Sequence, residues 1–273
     1  MPLTLSLQHD ITTTLDLRPV DPNKLREMSV DKIKRLLLWQ GNQQVELGQL
    51  FALRGTADDA EVHLEGDFRK ADYIGQGLSG GSLHVRGSVG NHAGQSMTGG
   101  SLHIEGDAGD LLAEDLLGGT IQVTGNAGNR VGTPLPGNRR GMQGGTVCIQ
   151  GNVGREVGQR MRRGLLLVGG DTDILPGHEM LAGTLVILGQ VGAHPGLRMK
   201  RGTLICPRLD RQTLPATFHH DGRFRLPMMP QLLRQAATCG LAAITSLEDR
   251  TWDQYSGDAV HFQRGEILVP CGE

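Results

Sequence analysis

Three histidines recur at one repeated position in the first half of the chain, and their type and spacing are the clearest sign of possible chemistry. They are His63, His84 and His103. Imidazole is the commonest metal ligand in proteins, and histidines on neighbouring strands lie close enough to share an ion. Because no carboxylate or thiol pattern accompanies them in the sequence, we expect polar surface residues and no metal site.

Three short motifs match known signatures only in part. "HEMLA" at 178–182 begins like a zinc-protease helix, but Ala182 stands where the second histidine is required. "GQGLSG" at 75–80 has dinucleotide-loop spacing without a surrounding strand–helix–strand unit, so it predicts a turn. "HHD" at 219–221 lies in a polar stretch and predicts a loop. Because no Ser/His/Asp or Cys/His constellation is visible either, we expect no active site in this chain.

Charge is segregated along the chain. Residues 58–115 contain eleven acids and three bases, whereas residues 130–163 contain seven arginines and one acid. A bipolar surface suits oriented docking to complementary partners, and an ordinary solvated surface is the alternative. The candidate binding residues are Arg139, Arg140, Arg162 and Arg163.

Composition excludes several classes of protein. The chain has 273 residues, of which 38% are apolar and 21% charged, and its formal net charge is -2. These values indicate a folded protein with no overall attraction to nucleic acid. The sequence has no apolar run of membrane-spanning length and no signal-peptide pattern, and its four cysteines form no CxxC pair. We therefore expect a cytoplasmic protein with free thiols.

A nineteen-residue repeat organises most of the chain. In seven copies glycine fills position 2, apolar residues fill positions 4 and 6, and polar residues mostly lie between them. Period-two alternation predicts a short strand with one buried face. A degenerate earlier copy starts at Asp59, and one later step contains seven extra residues. The seven copies begin at Gly80, Gly99, Gly118, Gly144, Arg163, Ala182 and Arg201.

Stacking these repeats in register predicts an all-β fold, a right-handed parallel β-helix with coils of about 19 residues. The glycines would form its corners, and Leu, Ile, Val and Met ladders would fill its core. Because open ends need caps, the predicted division is an N-terminal cap of strands and a short helix (1–58), the β-helix (59–206) and a C-terminal cap or tail with a helix (207–273).

The later repeats carry apolar residues on the nominally outer face of the strands. An exposed apolar stripe of this kind should be covered by another element. We expect the C-terminal helix, in "PMMPQLLRQAATCGLAAI" (227–244), or another protein of a complex to cover it. The stripe consists of Leu165, Leu167, Val186, Leu188 and Ile205.

Two long segments carry a family resemblance. "MSVDKIKRLLLWQGNQQVELGQLF" (28–51) and "GDFRKADYIGQGLSGGSLHVRGSVGNHAGQSMTGGSLHIEGDAG" (66–109) are similar to the leading segment and first coils of the C-type subunits of formylmethanofuran dehydrogenases. The resemblance spans nearly the whole chain. The coils also resemble the GXGXG β-helix domain of glutamate synthase large subunits.

The resemblance implies a non-catalytic scaffold in a hetero-oligomeric complex of one-carbon metabolism. The bacterial formyltransferase/hydrolase complex transfers a formyl group from tetrahydromethanopterin to methanofuran and hydrolyses it to formate. The implied partners are an amidohydrolase-like subunit, a molybdopterin-type subunit and a formyltransferase subunit, with the metals in those partners. No cofactor is therefore expected on this chain, unless its arginine cluster guides the glutamate-containing arm of methanofuran.

Three alternatives remain open. One is the equivalent C-type subunit of a CO2-reducing molybdenum or tungsten formylmethanofuran dehydrogenase, although the Arg-rich, Lys-poor composition favours the bacterial complex. Another is a glutamate-synthase-like β-helix domain, whose glutaminase needs an N-terminal cysteine where this chain has Pro2 after Met1. The third is a carbohydrate-binding or lyase β-helix, which would need more aromatic residues than the 3% found here.

Overall fold

The computed structural model describes residues 1–241, residue 247 and residues 250–271, apart from the side chain of residue 233. The helices are α1 (Pro22–Arg26), α2 (Val30–Lys34), α3 (Leu47–Leu50) and α4 (Met229–Thr238). The strands are β1 (Leu3–Leu7), β2 (Leu15–Asp16), β3 (Leu37–Gln40), β4 (Gln43–Glu46), β5 (Phe51–Arg54), β6 (Glu61–Glu65), β7 (Ala71–Asp72), β8 (Ser82–Arg86), β9 (Thr98–Ile104), β10 (Gly118–Val123), β11 (Thr146–Ile149), β12 (Leu165–Val168), β13 (Thr184–Ile187), β14 (Arg201–Ile205), β15 (His219–Arg225), β16 (Thr251–Gly257) and β17 (Arg264–Pro270).

Most strands belong to one long sheet, so the all-β prediction is confirmed. Its thirteen strands follow the order β15-β16-β17-β14-β13-β12-β11-β10-β9-β8-β6-β1-β5. In this spatial order, every strand between β17 and β1 pairs parallel with its neighbours. Beyond these two strands, β16 and β15 at one end and β5 at the other pair antiparallel. Four short strands form a second sheet in the order β4-β3-β2-β7.

Equivalent residues of successive repeats lie side by side along the parallel strands. The position-4 residues form one continuous ladder, and each is at most 1% exposed. The position-18 residues, from Met97 to Met199, are fully buried as well. The alternation read from the sequence therefore specifies the core. The ladder runs Val62, Leu83, Leu102, Ile121, Val147, Leu166, Leu185, Leu204 and Ile267.

A second line of contacts joins the repeats away from the main sheet. Single parallel bridges connect position 10 of each repeat to the next, beginning at Phe68 and ending at Thr172. The seven extra residues lie outside both lines, because Thr120 of β10 still pairs directly with Thr146 of β11. Each repeat is therefore held to its neighbours on more than one side. The bridged residues are Phe68, Val89, Ala108, Ala127, Val153 and Thr172.

The two flanking segments extend the central sheet. From the N-terminal segment, β1 pairs parallel with β6, and from the C-terminal segment β17 pairs parallel with β14. Ser29 is the N-cap of α2, as expected, but that helix ends at Lys34. Edges that would otherwise be open are thus paired. The predicted domain boundaries themselves stay a prediction.

One local prediction is wrong. The "HHD" segment is not a loop, since it begins β15, which pairs antiparallel with β16. Six of the seven residues of β15 are exposed, so the strand lacks the apolar alternation by which it could have been found. The predicted C-terminal helix is present as α4, and residues 242–244 of its predicted span lie outside the described part of the chain.

Among the described helices, the longest of which has ten residues, none is long and apolar enough to span a bilayer.

Candidate functional site

Helix α4 covers the apolar stripe on the outer face of the later strands, as expected. Its buried residues recur every three or four positions, at Met229, Leu232 and Ala236, and they pack in one cluster with the stripe. Gln150 Nε2 donates a hydrogen bond of 3.1 Å to the carbonyl oxygen of Cys239 at the helix end. The helix is therefore part of the folded chain, and this outer face is not free for a partner.

The structure brings three of the four predicted arginines to two adjacent cavities. Arg139 lines a cavity of about 380 Å³, and Arg140 and Arg162 line a cavity of about 510 Å³. Leu181 and Lys200 line both. Arg163 is exposed but lines neither.

The larger cavity is lined by basic and apolar side chains. Its charged residues are all basic, and none forms an ion pair with a carboxylate among the described residues. Unpaired basic groups crowded together repel one another, and an anionic partner would relieve that repulsion. We call this set the basic surface. It consists of Arg140, Arg162, Lys200, Arg201 and Arg264.

The smaller cavity contains one carboxylate that is already engaged. Glu179 accepts a hydrogen bond of 2.6 Å from Arg160 Nε and lies 3.4 Å from Arg198 Nη2. Burial acts to raise the pKa of Glu179, but the bond from Arg160 holds it below its ordinary value. This carboxylate therefore stays ionised at neutral pH. It stabilises the charges of Arg160 and Arg198 and not those of the basic surface.

Two large apolar side chains are exposed in the turn between β16 and β17. Val260 is 72% exposed and Phe262 is 74% exposed, and Phe262 lines the larger cavity. Exposed aromatic groups next to arginine are typical of the centre of protein–protein interfaces. The basic surface and Phe262 together make a candidate docking surface.

Sequence reasoning missed Lys200, Arg201 and Arg264. The signal was nevertheless present, because positions 162 and 200 differ by two repeats, as do positions 163 and 201. Arg201 also pairs in register with Arg264 of the last strand. Counting charges by repeat position instead of along the chain would have found the first two.

The three predicted histidines do form a row across β6, β8 and β9. The ring centroids of His63 and His84 are 5.0 Å apart, and those of His84 and His103 are 5.7 Å apart. The expectation that no carboxylate accompanies them is wrong, because Glu61 Oε1 lies 2.7 Å from His63 Nε2. The sequence hid this acid at the preceding outward position of the same strand.

The partial motifs do not form the sites that they resemble. "GQGLSG" forms a turn, as predicted, and "HEMLA" lies in a turn instead of a helix. Cys148, Cys206, Cys239 and Cys271 are free thiols, as expected.

The fold is that of a repeat protein with a filled core, and the basic surface lies on its outside. Over 98% of its length the chain is similar in fold to a chain of the formyltransferase/hydrolase complex (FhcABCD) from Methylorubrum extorquens, whose structure was solved in complex with methylofuran. The TM-score is 0.88, the sequence identity is 33%, and all of that chain is covered.

Curated relatives identify the type of subunit. Over 91 residues the chain is 32% identical to the C-type subunit of the molybdenum-containing formylmethanofuran dehydrogenase 1 of Methanothermobacter wolfeii, covering 33% of this chain and 23% of the relative. Over 89 residues it is 31% identical to the C-type subunit of the tungsten-containing formylmethanofuran dehydrogenase 2 of Methanococcus maripaludis. This match covers 32% of this chain and 33% of the relative. The matches thus span only 23–33% of the length of these relatives. No family model matches the chain.

The chain belongs to the family of C-type subunits of formylmethanofuran dehydrogenases.

Proposed function

We propose that this chain is the non-catalytic scaffold of a formyltransferase/hydrolase complex. Such a complex transfers a formyl group from tetrahydromethanopterin to methanofuran and hydrolyses it to formate. The observation that carries the proposal is the similarity over 98% of the chain, at 33% identity, to a chain of such a complex. The curated matches support the choice of the C-type subunit, although they cover a much smaller part of this chain.

The fold included in this proposal is a right-handed parallel β-helix. Parallel pairing from β1 to β17 and a second line of bridges from Phe68 to Thr172 support it. Aliphatic side chains fill the space between those lines, so a substrate would have to bind on the outer surface. The chain would therefore contribute surfaces for assembly, and the reactive groups would belong to its partners.

The proposed partners are an amidohydrolase-like subunit, a molybdopterin-type subunit and a formyltransferase subunit. Methanofuran and tetrahydromethanopterin would bind to those partners, which would also hold the catalytic metals. A cytoplasmic location is part of the proposal, and free buried thiols are consistent with it.

The basic surface has two proposed uses. The favoured one is docking of an acidic partner surface, because Phe262 adds an exposed apolar anchor next to the arginines. The second is guidance of the glutamate-containing arm of methanofuran by Arg139, Arg140, Arg162 and Arg163, since guanidinium groups bind carboxylates well.

A second candidate function is the same scaffold position in a CO2-reducing formylmethanofuran dehydrogenase. The curated relatives named for molybdenum and tungsten enzymes favour it. The two candidates differ in what must accompany the chain, namely a formyltransferase in one case and a partner loaded with molybdenum or tungsten in the other.

Affinity purification from the source organism tests the proposal. We expect the tagged chain to bring down three other proteins in fixed stoichiometry, including the formyltransferase. A stoichiometric partner that contains molybdenum or tungsten would favour the second candidate. A monomer with no co-purifying protein would contradict both.

Substitution of the basic surface tests its use. We expect the triple variant Arg140→Ser, Arg162→Ser, Arg264→Ser to weaken assembly. A matched control removes the same charge from the exposed N-terminal arginines, as Arg26→Ser, Arg35→Ser, Arg54→Ser. Equal assembly of both variants would exclude docking by these arginines, and unchanged formyl transfer in the assembled triple variant would exclude guidance of the arm by Arg140 and Arg162.

A further inference from the structure

Glu61, His63 and His84 bring three metal-ligating atoms together on the outer face of the sheet. Glu61 and His63 are two residues apart on β6 and so share a face, and His84 of β8 pairs in register with His63. Glu61 Oε1 lies 2.7 Å from His63 Nε2 and 4.0 Å from His84 Nε2. All three ligand atoms lie within 4.8 Å of one another.

The strands hold these side chains in place before any ligand arrives. Parallel pairing fixes the backbone on both sides, and the ring of His84 packs between those of His63 and His103. His103 Nδ1 lies 3.2 Å from Gln122 Oε1, so this third ring has a different partner. A site built on strands loses little conformational entropy when it binds an ion.

The donor set suits Zn²⁺. Imidazole nitrogen and carboxylate oxygen bind Zn²⁺ at about 2.0–2.2 Å, which places tetrahedral ligand atoms about 3.3 Å apart. The separations of 2.7 and 4.0 Å lie on either side of that value, so small side-chain rotations suffice. Glu61 is 35% exposed and His84 38% exposed, which leaves room for water at a remaining position.

We propose that Glu61, His63 and His84 form a Zn²⁺ site that bridges β6 and β8, with water completing the coordination. This site is independent of the proposed function. It would tie the degenerate first copy of the repeat to the next copy, near one end of the long sheet. The proposed role of the ion is structural, because it joins two strands and does not need to contact a substrate.

Calorimetric titration of the untagged full chain with ZnCl₂ tests the site. We expect one equivalent to bind the wild type, and Co²⁺ to give the visible absorption of a tetrahedral site. Glu61→Gln and His84→Gln should each weaken Zn²⁺ binding about tenfold or more, because even the loss of an outer partner costs 10–100-fold. His9→Gln, at an exposed histidine elsewhere, should bind as the wild type does.

Thermal unfolding provides an independent readout. Zn²⁺ should raise the melting temperature of the wild type and of His9→Gln, and it should leave Glu61→Gln and His84→Gln unchanged. The two site variants alter half-exposed side chains, so without metal they should melt near the wild type. The proposal would be overturned if the wild type bound Zn²⁺ no more tightly than the two site variants do. It would also be overturned if His9→Gln lost Zn²⁺ binding as fully as they do.

Discussion

Two glycines with the same backbone conformation but different surroundings allow the stacking of repeats to be measured. Gly100 has φ +73° and Gly77 has φ +67°, so alanine at either position meets the same left-handed backbone. At Gly77 an added Cβ would have no atom within 4 Å. At Gly100 it would lie 2.7 Å from the carbonyl oxygen of Gly81, in the repeat below.

The expected cost differs accordingly. A left-handed backbone costs a non-glycine residue roughly 1–2 kcal/mol, and this is the whole effect expected for Gly77→Ala. Gly100→Ala adds a collision with backbone that cannot move away like a side chain, and overpacking of this kind costs about 1–3 kcal/mol. We therefore expect Gly100→Ala to destabilise the chain by about 2–5 kcal/mol.

Urea unfolding of the two variants measures the difference in their free energies of unfolding. In thermal melting, each kcal/mol of that difference should lower the melting temperature by about 2–4 °C. Because the conformational penalty is common to both, the excess for Gly100→Ala reports the close approach of neighbouring repeats. Equal destabilisation of the two variants would refute the reasoning, since it would mean that the corners are not packed against one another.

Two further predictions concern the C-terminal segment. Ala236 is fully buried on the inner face of α4, and Ala237 of the same helix is exposed. Ala236→Glu should therefore cost about 3–5 kcal/mol or detach the helix, whereas Ala237→Glu should be neutral by thermal melting and limited proteolysis. Burial acts to raise the pKa of Asp253, but hydrogen bonds from His220 and Arg223 hold it below its ordinary value. Its stabilisation is therefore present above about pH 4 and lost as pH falls through the lowered pKa, so the urea midpoint of Asp253→Asn should depend less on acid than that of the wild type.

The repeat core could be predicted from sequence because its signal is redundant. Position-4 residues such as Leu83 and Leu102 are supported by the same residue type in every other copy, and one copy predicts the next. The cover of Leu167 by α4 was predictable for a related reason. An apolar residue at an outward position must be buried by something.

The candidate sites were harder to predict, because they depend on neighbours that are distant in sequence. Glu61 reaches His84 only through strand pairing, and Arg264 joins Arg201 only because the last strand returns to the sheet. The exposed strand β15 left no signal, since its stability comes from pairing with β16 and not from its own apolar face.

The most direct test of the scaffold account is reconstitution of the complex with and without this chain. The amidohydrolase-like, molybdopterin-type and formyltransferase partners from the same genome are co-expressed with the chain or without it, and particle mass and formyl transfer are measured. The account predicts one particle of four different proteins when the chain is present, separate partners when it is absent, and no turnover by the chain alone. A fully active particle that forms without the chain, or formyl transfer by the isolated chain, would contradict it.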